Sequence, residues 1–224
     1  HCYTGGEERY SPYVEPLIRM EYRDVVASAE LDTSLTARWG YRPLAVKDFA
    51  FGSGEYVETK GEGFGADCAV VAERNAERYE MAQGLMREVM EMADARGIAS
   101  GMGFEFGIYP PEFESVVEPE SRIRGAGLPD PTHAGSIEIL HNRIDDILEA
   151  YPSVDWIWLW LHEHTMFVGK PEMGERFRAV YERDKRYFEG SGDESLMFNG
   201  VWSLEYIRRA YEYIQEKAPD VKVA

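Results

Sequence analysis

The chain is poor in cysteine. Among 224 residues there are two, Cys2 and Cys68, and neither belongs to a CxxC pair. That excludes a disulfide framework and a thiolate metal site, and it leaves the redox compartment open. Basic residues are also scarce: 24 Lys and Arg stand against 41 Asp and Glu, a formal net charge of -17. A chain of this sign is repelled by nucleic acid and by anionic membranes, so neither is expected as a partner. The acidic excess reads as a solvated surface. No run approaches the ~18 apolar residues of a membrane helix, and no signal peptide is visible. The glycine clusters at 5–6, 52–54 and 61–65 lack GxGxxG or P-loop spacing, and no serine lies in a GxSxG elbow. No cofactor is expected.

What is present is enough apolar material for one sizeable core. Hydrophobic residues make up 44% of the chain, which excludes a disordered protein. The chain divides into an irregular portion, 1–66, and a portion of repeated helix–strand units, 67–224. The two are read as one domain. In the first unit, residues 72–96 carry Tyr79, Ala82, Leu85, Met86, Val89, Met90 and Ala93 on a helical stripe. Gly97 stops that helix, and 98–106 reads as a strand. In the second, Ile137, Leu140, Ile144, Ile147 and Leu148 mark a helix over 136–150 that ends at Pro152, with a strand at 154–161. In the third, Leu204, Ile207, Tyr211 and Ile214 mark a helix over 203–217, Pro219 stops it, and 221–224 starts a strand.

Helix, polar turn and apolar strand, three times over, predict an α/β fold with parallel, neighbouring strands and helices on one side. Long loops follow the strands: 110–133 is rich in Pro and Gly, and 165–173 leads into a polar helix near 175–188. Loops inserted after strands are typical of (β/α)8 TIM-type barrels, which bind substrate at the carboxyl face. In the first portion, residues 1–3 read as the tail of a strand and 15–30 as a helix or an irregular pair of segments. Residues 39–65 read as an elaborate loop or small hairpin. The chain begins at His1 and ends on an incipient strand, so it is expected to be a part of a barrel, with self-association or contact with the missing barrel half.

The most informative stretch is 151–164, YPSVDWIWLWLHEH. A continuous apolar strand is what a sheet covered on both faces requires, and this one ends abruptly in His162, Glu163 and His164. Glu105 ends the preceding strand in the same way. Strands in a parallel sheet lie about 4.8 Å apart, so carboxylates on neighbouring strand ends fit the paired acids of glycoside hydrolysis, within about 10 Å of each other. Alternation puts Gly101, Gly103 and Glu105 on one face and Met102, Phe104 and Phe106 on the other. The small residues suit a crowded interior and the large ones the helix side. Glu163 shares a face with Ile157, Leu159 and Leu161, but bulges at strand ends leave its direction open. Sugars stack on aromatic faces, which makes Tyr109, Trp160 and Trp202 candidate platforms. Trp156 and Trp158 read as packing. Asn199 and Trp202 read either as a sugar contact or as the entry loop of the third helix.

WLWLHEH resembles the Asn-Glu strand end of (β/α) barrel glycoside hydrolases, with His162 where Asn is usual. GMGFEFGIYPPEF, after the turn RGI, is similar to segments of α-glucuronidase and β-hexosaminidase-like barrels. The likeness covers mainly 70–224. It implies a carbohydrate substrate, Glu163 as acid/base and Glu105 as a carboxylate partner, with His162 and Tyr109 near the sugar. In such barrels the nucleophile commonly lies on a later strand, which this chain does not reach. Two other readings compete. His162 and His164 could project two imidazoles to one side as ligands of a metal-dependent hydrolase, with His133 or His141 as a third. Alternatively, the chain is a non-catalytic sugar-binding or structural fragment.

Overall fold

The computed structural model describes residues 2–3, 21–26, 75–107, 111–161 and 171–224. They form a mixed α/β structure around a parallel sheet. Strands β1 (Cys2–Tyr3), β4 (Gly101–Phe106), β5 (Trp156–Leu161) and β6 (Lys222–Val223) lie in the order β1-β4-β5-β6, and each pairing is parallel. The three expected strands are therefore neighbours in the expected sense. The short N-terminal strand tail joins them at the β4 edge. A separate antiparallel pair, β2 (Glu21–Tyr22) and β3 (Val25–Val26), forms residues 21–26, the described part of the 15–30 region expected as a helix or an irregular pair of segments. Its two-residue turn places Arg23 and Asp24 at φ 49° and 63°. Both central residues of a type I′ turn need positive φ, and that turn matches the natural twist of a hairpin.

Helices α1 (Asn75–Asp94), α2 (Ala134–Ala150), α3 (Glu175–Asp184) and α4 (Glu194–Lys217) account for the helical stretches. Gly97 closes α1 as read from the sequence. It sits at φ 66°, Ile98 N–H donates to Ala93 O at 2.9 Å and Gly97 N–H to Asp94 O at 2.8 Å. That bond pair is the Schellman stop, which favours a residue without a Cβ. α2 starts two residues early, where the His133 imidazole accepts from Gly135 N–H.

α4 departs most from expectation. It starts at Glu194, not near 203, because the Asp193 carboxylate caps it, accepting from Ser195 N–H at 2.7 Å and Leu196 N–H at 3.1 Å. Its buried face is also different. Phe198, Val201, Trp202, Tyr206, Ala210 and Ile214 are buried, whereas Ile207 and Tyr211 are 39% and 50% exposed. Val89 on α1 is likewise exposed, while Met90 is buried.

The core lies between the sheet and these helices. Met102, Phe104 and Phe106 are buried on the helix side. The Arg143 guanidinium of α2 lies 4.7 Å from the Phe104 ring centre, and Phe106 packs against Trp202 and Tyr206 of α4 at 5.9 and 5.6 Å. The large residues of β4 therefore face the helices, as the alternation argument requires. Among the described residues no helix is long and apolar enough to cross a membrane.

Candidate functional site

Register fixes the opposite face of the sheet. Gly101, Gly103 and Glu105 are the Cα partners of Trp156, Trp158 and Trp160. Partners in a parallel pair share a face, so a column of glycines runs beside a column of tryptophans. At Gly101 the strands approach closely: a Cβ there would meet Trp156 Cβ at 3.2 Å, with Trp158 Nε1 in ordinary contact at 3.8 Å. Trp158 and Trp160 meet edge to face at 5.9 Å, and Lys222 Nζ lies 4.9 Å from the Trp156 ring centre. Trp156 and Trp158, read as packing, are half-buried. Trp160, nearest the carboxyl end, is 37% exposed.

The loops that follow β4 and β5 come together at that same end. α2 and α3 both begin there, since each follows its strand and α2 must return to the start of β5. A cleft of about 500 Å³ lies between the two loops, lined among others by Arg122, Arg124, Asp130, Glu172 and Gly174. Its wall is a tight turn. Ile123 N–H donates to Leu128 O at 2.7 Å and Gly127 N–H donates to Ile123 O at 3.0 Å, with Gly125 and Gly127 at φ 81° and 70°. The two loops are clasped together: Glu172 N–H donates to Arg124 O at 3.0 Å, and Arg124 Nη1 stands 3.7 Å from Glu172 Oε2. Arg122 is held by the Glu114 carboxylate and donates to Gly127 O at 3.0 Å. Asp130 Oδ1 accepts from Thr132 N–H at 2.8 Å and Thr132 Oγ1 at 2.6 Å. The cleft is thus lined by guanidinium and carboxylate groups, the solvent-exposed Arg124–Glu172 pair among them.

The β2–β3 hairpin braces the first of these loops. Arg23 Nη1 pairs with Glu118 at 2.7 Å and donates to Val116 O at 3.0 Å. That hydrogen bond holds the Glu118 carboxyl below its ordinary pKa. The buried Tyr22 donates its hydroxyl to Glu138 at 2.9 Å; burial, then the Glu138 carboxylate, push the phenol up to about 12.

The sequence-derived site residues divide into three groups. Glu105 and Trp160 are brought together by register, though only the backbone of Glu105 is described. Tyr109, His162, Glu163 and His164 lie outside the described residues. Asn199 and Trp202 need correction, because they lie inside α4 and not in an entry loop. Trp202 is fully buried and its indole N–H donates to Pro129 O at 2.8 Å. With no ring face open, it ties the post-β4 loop to α4 and offers nothing for a sugar to stack on. Asn199 is also buried, at 4% exposure, and its carbonyl accepts from Ser203 Oγ. Of the other histidines, His133 is a helix cap and His141 stacks on Tyr213 at 3.6 Å, while no metal-holding cluster occurs among the described residues.

Arg122, Arg124, Asp130 and Glu172 were not singled out by sequence reasoning. The Pro- and Gly-rich composition of 110–133 marks a loop, but the pairing of Arg124 with Glu172 across two loops leaves no trace in a single sequence. Comparison with protein-family models, with curated proteins and with solved structures finds no match for the chain.

Proposed function

We propose that the chain is part of a (β/α) barrel-type hydrolase that cleaves glycosidic bonds at the carboxyl ends of β4 and β5. The observation that carries this reading is the register of the two strands. It sets Glu105 beside a partly exposed Trp160 at the carboxyl end of the sheet, and the loops that follow the two strands line a cleft of their own. Active sites of parallel α/β folds lie at that end. A cleft lined by guanidinium and carboxylate groups suits a polyhydroxylated ligand, whose hydroxyls both donate and accept.

In this reading Glu163 protonates the glycosidic oxygen. Glu105 supplies the negative charge that keeps Glu163 protonated near neutral pH. His162 and Tyr109 contact the sugar and Trp160 stacks on it.

The test is glycoside hydrolysis by the full-length protein, measured on aryl glycosides and on polysaccharide reducing ends. Glu163→Gln lowers turnover by about 10²-fold or more, a usual size for loss of a general acid, and leaves substrate binding in place. Normal turnover in that variant overturns the assignment. Loss of activity on chelation, with His164→Ala as damaging as Glu163→Gln, moves the chemistry to a metal held by His162 and His164.

A further inference from the structure

The helical layer holds a second polar cluster, at the opposite end of α3 from the cleft residue Gly174. Asp184, the last residue of α3, and Glu205, in the middle of α4, are 3% and 1% exposed. Buried carboxylates need compensating charge, and three arginines provide it. Arg183 Nη2 contacts Asp184 Oδ2 at 2.6 Å and Glu205 Oε2 at 3.0 Å. Arg208 bridges the same two acids, with Nη2 at 3.0 Å from Asp184 Oδ2 and Nη1 on Glu205 Oε2. Arg209 grips the other oxygen of Glu205 through Nε at 2.9 Å and Nη2 at 2.8 Å. Hydrogen bonds from Arg183 and then Arg208 hold the Asp184 carboxyl below its ordinary value, so both signs are present at neutral pH.

Two carboxylates are neutralised by two guanidiniums, and the third leaves a surplus positive charge. The guanidiniums are not sealed in: the Arg183, Arg208 and Arg209 side chains are 52%, 30% and 41% exposed. Arg183 Nη1, Arg208 Nε and Arg209 Nη1 carry N–H groups that none of these bonds uses. A guanidinium fork whose carboxylate partners fix its position has lost its conformational freedom before any ligand arrives, and it matches tetrahedral and planar oxyanions in shape.

We propose that Arg183, Arg208 and Arg209 form a preorganised site for a sulfate- or phosphate-type oxyanion, either free or borne as an ester. Asp184 and Glu205 act as positioning residues. The site is independent of the hydrolytic reading and survives its failure.

Inorganic sulfate and inorganic phosphate are titrated calorimetrically into the full chain at constant ionic strength, with chloride as the balancing anion. Saturable binding is expected. Arg209→Gln and Arg183→Gln each weaken it about tenfold, the size of one lost charge-assisted hydrogen bond. Arg209→Lys keeps the charge, loses the fork and gives an intermediate affinity while preserving the fold, which near-ultraviolet circular dichroism checks. Dextran sulfate and unsulfated dextran form a second arm: tighter binding of the sulfated polymer than of free sulfate assigns an ester as the source, and equal binding assigns the free anion. Absence of saturable sulfate or phosphate binding, or undiminished binding in Arg209→Lys and both Gln variants, overturns the proposal.

Discussion

Asp146 gives the sharpest physical test of the fold. It lies on α2, three residues after the buried Arg143, and its Oδ2 is buried with no hydrogen-bond partner. Desolvation dominates its titration. Arg143 pulls the pKa down, and Glu149, Asp145 and Glu21 push it up, for a net rise from 3.8 to about 7. Because the folded pKa is raised, the native state binds more protons than the unfolded state between those values. Stability is therefore full below about pH 4 as far as this group is concerned, falls as pH rises, and levels off above about pH 7. A displacement of that size corresponds to about 4 kcal/mol if none of it is screened. The carboxyl is only part-buried, and solvent reduces the cost to about 1–2 kcal/mol.

Asp146→Asn keeps the shape and removes the titration. It should stabilise the protein by about 1–2 kcal/mol at pH 8 and by almost nothing at pH 4. Urea unfolding followed by circular dichroism at several pH values measures the difference. Removing any acid from a chain of net charge -17 relieves some repulsion, so Glu91→Gln, exposed on α1 and not among the charges that shift Asp146, serves as the control. Its effect on stability should be small. An Asp146→Asn variant no more stable than the wild type at pH 8, or a gain that does not vary with pH, refutes the burial argument.

Gly97→Ala places a Cβ at φ 66°, so it should cost about 1 kcal/mol in urea unfolding although no side chain stands near that position. Trp202→Phe orphans the buried Pro129 carbonyl and should cost about 2 kcal/mol. Amide exchange across 122–130 should quicken in the same variant, because the loop loses its tie to α4; unchanged exchange would place the loop's stability elsewhere.

The parallel sheet was legible because β4 and β5 carry signals that local physics fixes alone. A continuous apolar run, the glycine stop at Gly97 and the proline after Tyr151 define two units without reference to the rest of the molecule. The alternation of Gly101 and Gly103 with Met102 and Phe104 likewise gave the two faces, and the burial of Met102, Phe104 and Phe106 against α2 and α4 bears that out. The Asp193 cap was present in the sequence too, but Asn199 and Gly200 downstream of it resemble a loop. α4 tolerates Gly200 because the Phe188 ring occupies the space where its Cβ would stand.

The phase of α4 was not legible for a different reason. Hydrophobic periodicity assumes that a buried position is apolar, and Glu205 breaks that assumption. It lies on the buried side of the helix, sustained by guanidiniums at positions 183, 208 and 209. With a charged residue at the centre of the inward face, the stripe through Ile207 and Tyr211 looked the more hydrophobic, yet it is the one left to solvent. The cleft is hidden from sequence by the same logic. Its walls are joined by Arg124 and Glu172, whose types are unremarkable on any loop, and only the parallel pairing of β4 with β5 brings the two loops to one end of the sheet. Both failures arise where opposite charges meet across separate segments. Local pattern reads the scaffold, and the polar groups that the scaffold brings together have to be read from the pairing itself.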